Sequence, residues 1–131
     1  MVALDTNVLV RVLVGDDPVQ TKRAERSFAK HARGEGIFLS LVVLAEVAWV
    51  LGAAYDWDRA TIHERLTRLV RTRGVSLESL ELVQAALDDY ETGEADLPDY
   101  LILGSAKGAG AKLLTFDRRL ARSSGATLLG S

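Results

Sequence analysis

Apolar residues fall into two kinds of run along this chain. Five runs are short: Val2–Leu4, Ile37–Leu39, Val75–Leu77, Lys112–Thr115 and Thr127–Leu129. Each is too brief for a helix and is followed by polar residues, the pattern of a short strand in a covered sheet. The stretches between them carry helix signals. Asp17-Pro18 supplies an N-cap and a first helical residue, and the helix it opens runs to about Arg33, ahead of the Gly34–Gly36 stop. Asp58 can cap a helix over Arg59–Thr72, in which Ile62, Leu66, Leu69 and Val70 share one face. Another spans about Ser79 to Tyr90 and ends near Gly93, and Leu97-Pro98 opens one through Lys107 that Gly108 and Gly110 close. Strands alternating with helices predict an α/β fold with a central, mostly parallel sheet of about five strands flanked by helices.

The segment Ile37–Tyr55 holds 19 residues and a single charge, Glu46. That approaches the ~20 apolar residues of a membrane span. Ser40, however, divides it into a strand and a capped helix, and a lone acid at the centre of a span is costly. No membrane segment is expected. With 131 residues, 48 % apolar and 26 % charged, the chain predicts one folded domain over 1–131. Cysteine is absent, which excludes disulfide scaffolds and thiolate metal sites and suits a reducing cytoplasm. The start of the chain has no basic stretch ahead of an apolar run, so no secretory signal is read there, and a cytoplasmic location is expected. The net charge of −2 conceals a segregated distribution. Lys22, Arg23, Arg26, Lys30 and Arg33 crowd one helix, and Arg59, Arg65, Arg68, Arg71 and Arg73 another. Residues 74–106 contain eight acids and no lysine or arginine.

Four acids stand where a packed core does not ordinarily put them. Asp5 and Asp117 follow strands, at the carboxyl edge where ligands bind in open parallel sheets. Asp99 lies in the first turn of the Pro98 helix, and Glu46 is enclosed in sequence by Val42, Val43, Leu44, Ala45, Val47 and Ala48. Local roles account for each alone. Asp5 and Asp117 suit caps, Asp99 suits the positive end of a helix, and a buried Glu46 would need an arginine or some other partner. Taken jointly they favour a hard divalent cation, Mg²⁺ or Mn²⁺, because an all-oxygen set without cysteine is the chemistry such ions prefer.

The ordered set Asp5-Thr6-Asn7-Val8-Leu9, Glu46 in an apolar helix, Asp96-Leu97-Pro98-Asp99-Tyr100-Leu101-Ile102 and Leu114-Thr115-Phe116-Asp117-Arg118-Arg119-Leu120 resembles the PIN-domain ribonucleases, in particular the toxins of VapBC-type toxin–antitoxin pairs. The resemblance covers essentially the whole chain, with Pro98 standing where the pattern has a small residue. It implies a three-layer PIN-like sandwich in which Asp5, Glu46, Asp99 and Asp117 bind Mg²⁺ or Mn²⁺ and form the catalytic set. Thr6, Asn7 and Thr115 would orient those acids, and Asp96 would lie close enough to join them. The implied reaction is endoribonucleolytic hydrolysis by metal-activated water, leaving a 5′-phosphate and a 3′-hydroxyl. Arg118, Arg119 and Arg122 are the residues expected to hold RNA beside the metal. The implied partners are a VapB-type antitoxin, a transfer or ribosomal RNA substrate, and a second copy in a homodimer, with the helices Pro18–Arg33 and Leu41–Tyr55 offering apolar surface.

His31 and His63 lie away from these motifs, so a metal-free histidine mechanism is not expected. Trp49, Tyr55 and Trp57 are read as core or dimer packing rather than base-stacking residues. A haloacid-dehalogenase-type phosphatase would need a second acid where Asn7 stands. The remaining alternative is a non-catalytic PIN-like module that binds RNA or protein.

Overall fold

Helices in this protein begin where a side chain can accept the backbone N–H groups that a first turn leaves without partners. The computed structural model describes residues 1–130. The chain runs β1 (Val2–Ala3), α1 (Thr6–Val14), α2 (Pro18–Arg33), β2 (Ile37–Leu39), α3 (Leu41–Ala53), α4 (Arg59–Val70), β3 (Val75–Leu77), α5 (Leu80–Thr92), α6 (Leu97–Gly108), β4 (Leu113–Thr115), a 3₁₀ turn (Leu120–Arg122) and β5 (Ala126–Leu128). The caps foreseen at Asp17, Ser40 and Asp58 are present: Asp17 accepts from Val19 and Gln20, Ser40 from Val43, and Asp58 from Thr61. Several boundaries shift by one or two residues. β1 stops at Ala3, α3 at Ala53 and α4 at Val70, α5 covers Leu80–Thr92, Lys112 precedes β4, and β5 starts one residue early. The helix α1 is almost wholly apolar from Val8 to Val14, apart from Arg11, so hydrophobic periodicity marks it weakly.

The residues divide into two compact units, Met1–Glu78 and the chain from Ser79 onward. In the first, β1, β2 and β3 form a parallel sheet in that order, pairing Val2 with Ile37, Ala3 with Phe38 and Ile37 with Val75. Two helices occupy each crossover, α1–α2 and then α3–α4. Ile37 and Leu39 of the middle strand are fully buried, with Leu9, Leu44, Val47, Leu51 and Leu66 from the helices. In the second unit, α5 packs on α6, burying Val83, Leu87, Tyr90, Leu101 and Leu103. Its strands β4 and β5 pair in parallel, Leu113 with Ala126 and Thr115 with Leu128. The five strands thus occur at the predicted places and every pairing is parallel, with the ladders grouped as three and two. Among the described residues no helix is long and apolar enough to cross a membrane.

One glycine in the first unit is sterically required. Gly74 precedes β3 with φ +92°, its carbonyl accepts from Ile37 at 2.8 Å, and a Cβ there would collide with the carbonyl oxygen of Ala32. Gly110 has φ +71° with open space around it. Gly74→Ala is therefore expected to cost at least ~2 kcal/mol through strain and backbone collision together, and Gly110→Ala only about 1 kcal/mol through strain alone. Urea denaturation midpoints of the two variants measure the difference; equal losses would refute the steric account.

Candidate active site

Asp5 leaves β1 in an extended conformation (φ −78°, ψ 160°) and becomes the N-cap of α1. Its Oδ1 accepts the Thr6 N–H at 2.7 Å. Thr6 is buried, and its hydroxyl donates to Oε1 of Glu46 at 3.2 Å. That bond ties the first turn of α1 to the second turn of α3 and brings Glu46 beside the residue that follows Asp5.

Glu46 itself is exposed, and this corrects the sequence-based picture of a carboxylate enclosed by apolar neighbours. Residues 44, 47, 48 and 51 form the inner face of α3, whereas Val42 (67 % exposed), Glu46 and Trp49 (66 %) lie at i, i+4 and i+7 on the outer face. The apolar run therefore covers both faces of the helix, and only one of them is in the core. The alternative of a buried arginine partner also fails: among the described residues no cation pairs with Glu46. Trp49 is correspondingly not a core residue. Trp57 lies under the Arg65 guanidinium, 5.3 Å from the ring centre, and the Tyr55 hydroxyl donates to Asp16 at 2.9 Å.

In the second unit, Asp96 is the N-cap of α6 and Asp99 stands at its third helical position. Asp99 Oδ2 accepts the Asp96 N–H at 3.2 Å, so Asp96 holds Asp99 through its backbone. Pro98 fits between them, since an N–H in the first turn has no helical partner to lose. Asp117 closes the turn after β4. Its Oδ1 accepts from the N–H groups of Arg119 at 2.8 Å and Leu120 at 3.2 Å, and Thr115 Oγ1 accepts the Asp117 N–H at 3.0 Å. Thr115 thus orients the turn carrying the acid.

The three arginines differ. Arg119 Nε lies 3.6 Å from Asp117 Oδ1, Arg118 is exposed, and Arg122 is paired with Glu94 at 2.8 Å. Asn7 is exposed on the first turn of α1 and, among the described residues, makes no hydrogen bond to any of the acids. One acid escaped the sequence reading. Glu78 follows β3, and its Oε1 accepts the Leu41 N–H at 3.1 Å, adding a second acceptor at the start of α3. An acid directly after a predicted strand, as at Asp5, was the available signal.

Electrostatics separates the two acids of the second unit. Burial raises the Asp99 pKa above the ordinary carboxylate value, and the charges of Asp117 and Asp96 push the same way against the Asp96 N–H bond and the Arg119 charge. Asp117 moves down, chiefly through the Leu120 N–H bond, with the Arg119 N–H and guanidinium adding to it against some desolvation. Each acid has one oxygen held: Asp5 Oδ1, Glu46 Oε1, Asp99 Oδ2 and Asp117 Oδ1. The other oxygen of each has no protein donor among the described residues. Among the described residues, no group of three or more histidine, aspartate or glutamate side chains that could hold a metal ion is present.

Because folding raises the Asp99 pKa, the folded state binds this proton more tightly than the unfolded chain, and stability falls as pH rises through the interval between the two values. Asp99→Asn, which keeps an acceptor for the Asp96 N–H, is expected to melt at a higher temperature than the wild type at pH 7. The gain should vanish as pH drops below ~3.9, the unfolded aspartate value. Calorimetric melting against pH checks this, and a lower melting temperature at pH 7 would refute the assigned burial cost.

The family model of the PIN domain matches residues 2–125. A VapC ribonuclease of Aquifex aeolicus (strain VF5) is 27 % identical over 121 residues, covering 91 % of this chain and 89 % of that protein. A crystal structure of Mycobacterium tuberculosis VapC20, a sarcin–ricin-loop-cleaving toxin, aligns over 95 % of both chains at 18 % identity with a TM-score of 0.45, too distant a likeness to bear on function. With a family model matched from the first strand to the residue before the last strand, the chain belongs to the PIN-domain family.

Proposed function

We propose that this protein is a Mg²⁺- or Mn²⁺-dependent endoribonuclease and the toxin of a VapBC-type pair. The observation that carries the reading is the state of the four acids, each fixed by one oxygen and keeping the other for a ligand. PIN membership and the similarity to a VapC ribonuclease support it. On this reading residues 1–131 work as one PIN domain, with Asp5, Glu46, Asp99 and Asp117 jointly responsible for the cation. The donor chemistry fits: four carboxylates and no sulfur suit a hard ion.

When bound, a divalent ion supplies an acidified water and neutralises charge on the phosphodiester. The chain supplies the rest. The α1 N–H at Thr6 and the Thr6 hydroxyl hold Asp5 and Glu46 against rotation. Asp117 stays ionised because backbone N–H groups and Arg119 favour its charge. Asp99, half-buried with Oδ2 held by the Asp96 N–H and Oδ1 uncommitted, would offer that Oδ1 to the ion. The water oxygen would end on the 5′-phosphate as its proton passes to solvent, the P–O3′ bond would break, and the 3′-oxygen would take a proton from solvent, with no covalent intermediate. Arg118 and Arg119, rather than the paired Arg122, hold the RNA backbone. A VapB-type antitoxin and a second copy of the chain would use exposed apolar side chains of α2 and α3 such as Val19 and Trp49, and the RNA substrate, transfer or ribosomal, implies the cytoplasm.

Purified protein given Mg²⁺ or Mn²⁺ and a pool of structured RNAs is expected to cut them with 5′-phosphate ends, and a chelator should stop it. Asp5→Asn and Asp99→Asn should each lose more than ~100-fold in rate, since even groups that only orient ligands are worth 10–100-fold. RNA binding without cleavage by folded wild-type protein would assign a non-catalytic module instead. Thr6→Val, which deletes the hydroxyl without changing volume, should lose ~10–100-fold and need more metal for half-maximal rate, while Thr6→Ser stays near wild type. Equal rates for the valine and serine variants would remove the Thr6–Glu46 bond from the mechanism.

A further inference from the structure

A cleft of about 370 Å³ lies between α1 and α2 within the first unit. Its apolar surface includes Val8 and Ala24, and Asn7, Gln20, Arg23 and Ser27 supply polar groups. The size falls in the ~300–1,000 Å³ range of small-ligand sites, and apolar walls with a few placed polar groups are their usual make-up. Arg11 also borders the cleft, but its charge is already answered: Nη1 donates to Asp16 at 2.9 Å and to the Tyr55 hydroxyl at 3.3 Å. Its Nε donates to Gln20 Oε1 at 2.7 Å. That bond fixes the Gln20 amide so that Nε2, a donor, remains for a ligand.

Arg23 is different. It is exposed, and among the described residues it has no hydrogen-bond or ion-pair partner. The helix that bears it also carries Lys22, Arg26, Lys30 and Arg33 against one acid, Glu25. A cleft with apolar walls, a fixed amide donor and an uncommitted guanidinium on a basic helix complements a nucleotide, in which a flat base is joined to a phosphate. Asn7 lies two residues beyond Asp5 on α1. The cleft therefore begins within about one helical turn, ~5.4 Å of rise, of that acid.

We propose that the α1–α2 cleft is a subsite for one nucleotide of single-stranded RNA flanking the cut. Arg23 takes a phosphate, Val8 and Ala24 face the base, and the Gln20 amide donates to an acceptor on the base edge. The assignment rests on the ribonuclease reading above and adds to it where sequence preference would originate. Basic charge on α2 favours RNA over a partner peptide as the occupant.

The test uses the full chain. With Asp5→Asn protein and a fluorescent single-stranded RNA, affinity is measured against NaCl concentration. Arg23→Gln should weaken binding and reduce the slope of log K against log salt by ~0.7, the loss of one phosphate contact to a single strand. Arg71→Gln, at the residue that follows α4, makes the same change in net charge and should leave the slope unaltered. In the active protein, Ser27→Phe should narrow the cleft and change the nucleotide preferred at one position beside the cut, read by sequencing RNA ends. If RNA is cut and bound but the Arg23→Gln slope and the Ser27→Phe preference both match wild type, the subsite is overturned while the ribonuclease reading stands. If wild type neither binds nor cuts RNA, both fall. If Arg23→Gln weakens binding of the co-encoded partner protein and leaves RNA binding intact, the occupant is a peptide and the proposal is overturned.

Discussion

Backbone N–H groups at helix beginnings, which no helix can satisfy from within, organise this protein. They set where the elements start, and they hold the acids. Asp5 answers the start of α1, Asp99 the entry to α6, and Asp117 the turn after β4. An acid in such a place is stabilised by the positive end of the peptide dipoles, so negative charge can be collected without unfolding the chain. Capping and ligand binding are often weighed as rival explanations for an aspartate. Here they are compatible, because a carboxylate has two oxygens and the cap uses one. Rigidity gained by the first oxygen is what gives the second a defined position.

The two acids of the second unit show how environment divides labour among like groups. Asp99 is half-buried and feels other carboxylates; Asp117 accepts two backbone N–H bonds and lies near Arg119. Their proton affinities move in opposite directions because of what surrounds each carboxyl, not because of the side chain itself. Arg122, three residues beyond Arg119 and equally charged, is absorbed by Glu94. Proximity along the chain therefore says little about which cation serves an acid.

Much of this was legible in the order of residues. Asp17-Pro18, Ser40 and Asp58 announced helix starts because capping depends on one side chain and its next few amides. Strands were legible as short apolar runs flanked by polar residues. The exposure of Glu46 was not, since a helix apolar on all sides gives no indication of which side faces water, and that is decided by the elements packed against it. The Thr6–Glu46 bond spans 40 positions and leaves no local mark. Nor does the cleft beside Arg23, which exists only once α1 and α2 lie together. Glu78 was within reach, as an acid directly after the short apolar run Val75–Leu77.

The outer stripe of α3 combines opposite tendencies. Val42 and Trp49 gain by leaving water, while Glu46 between them loses its hydration if they do. Greasy surfaces met by chance, including unfolded chains, are discouraged from adhering by that one carboxylate, which acts as a gatekeeper against aggregation. A partner that does seat there must bring a compensating donor to one particular spot. The same side chain that interrupts a sticky face thus makes the face selective about what it admits.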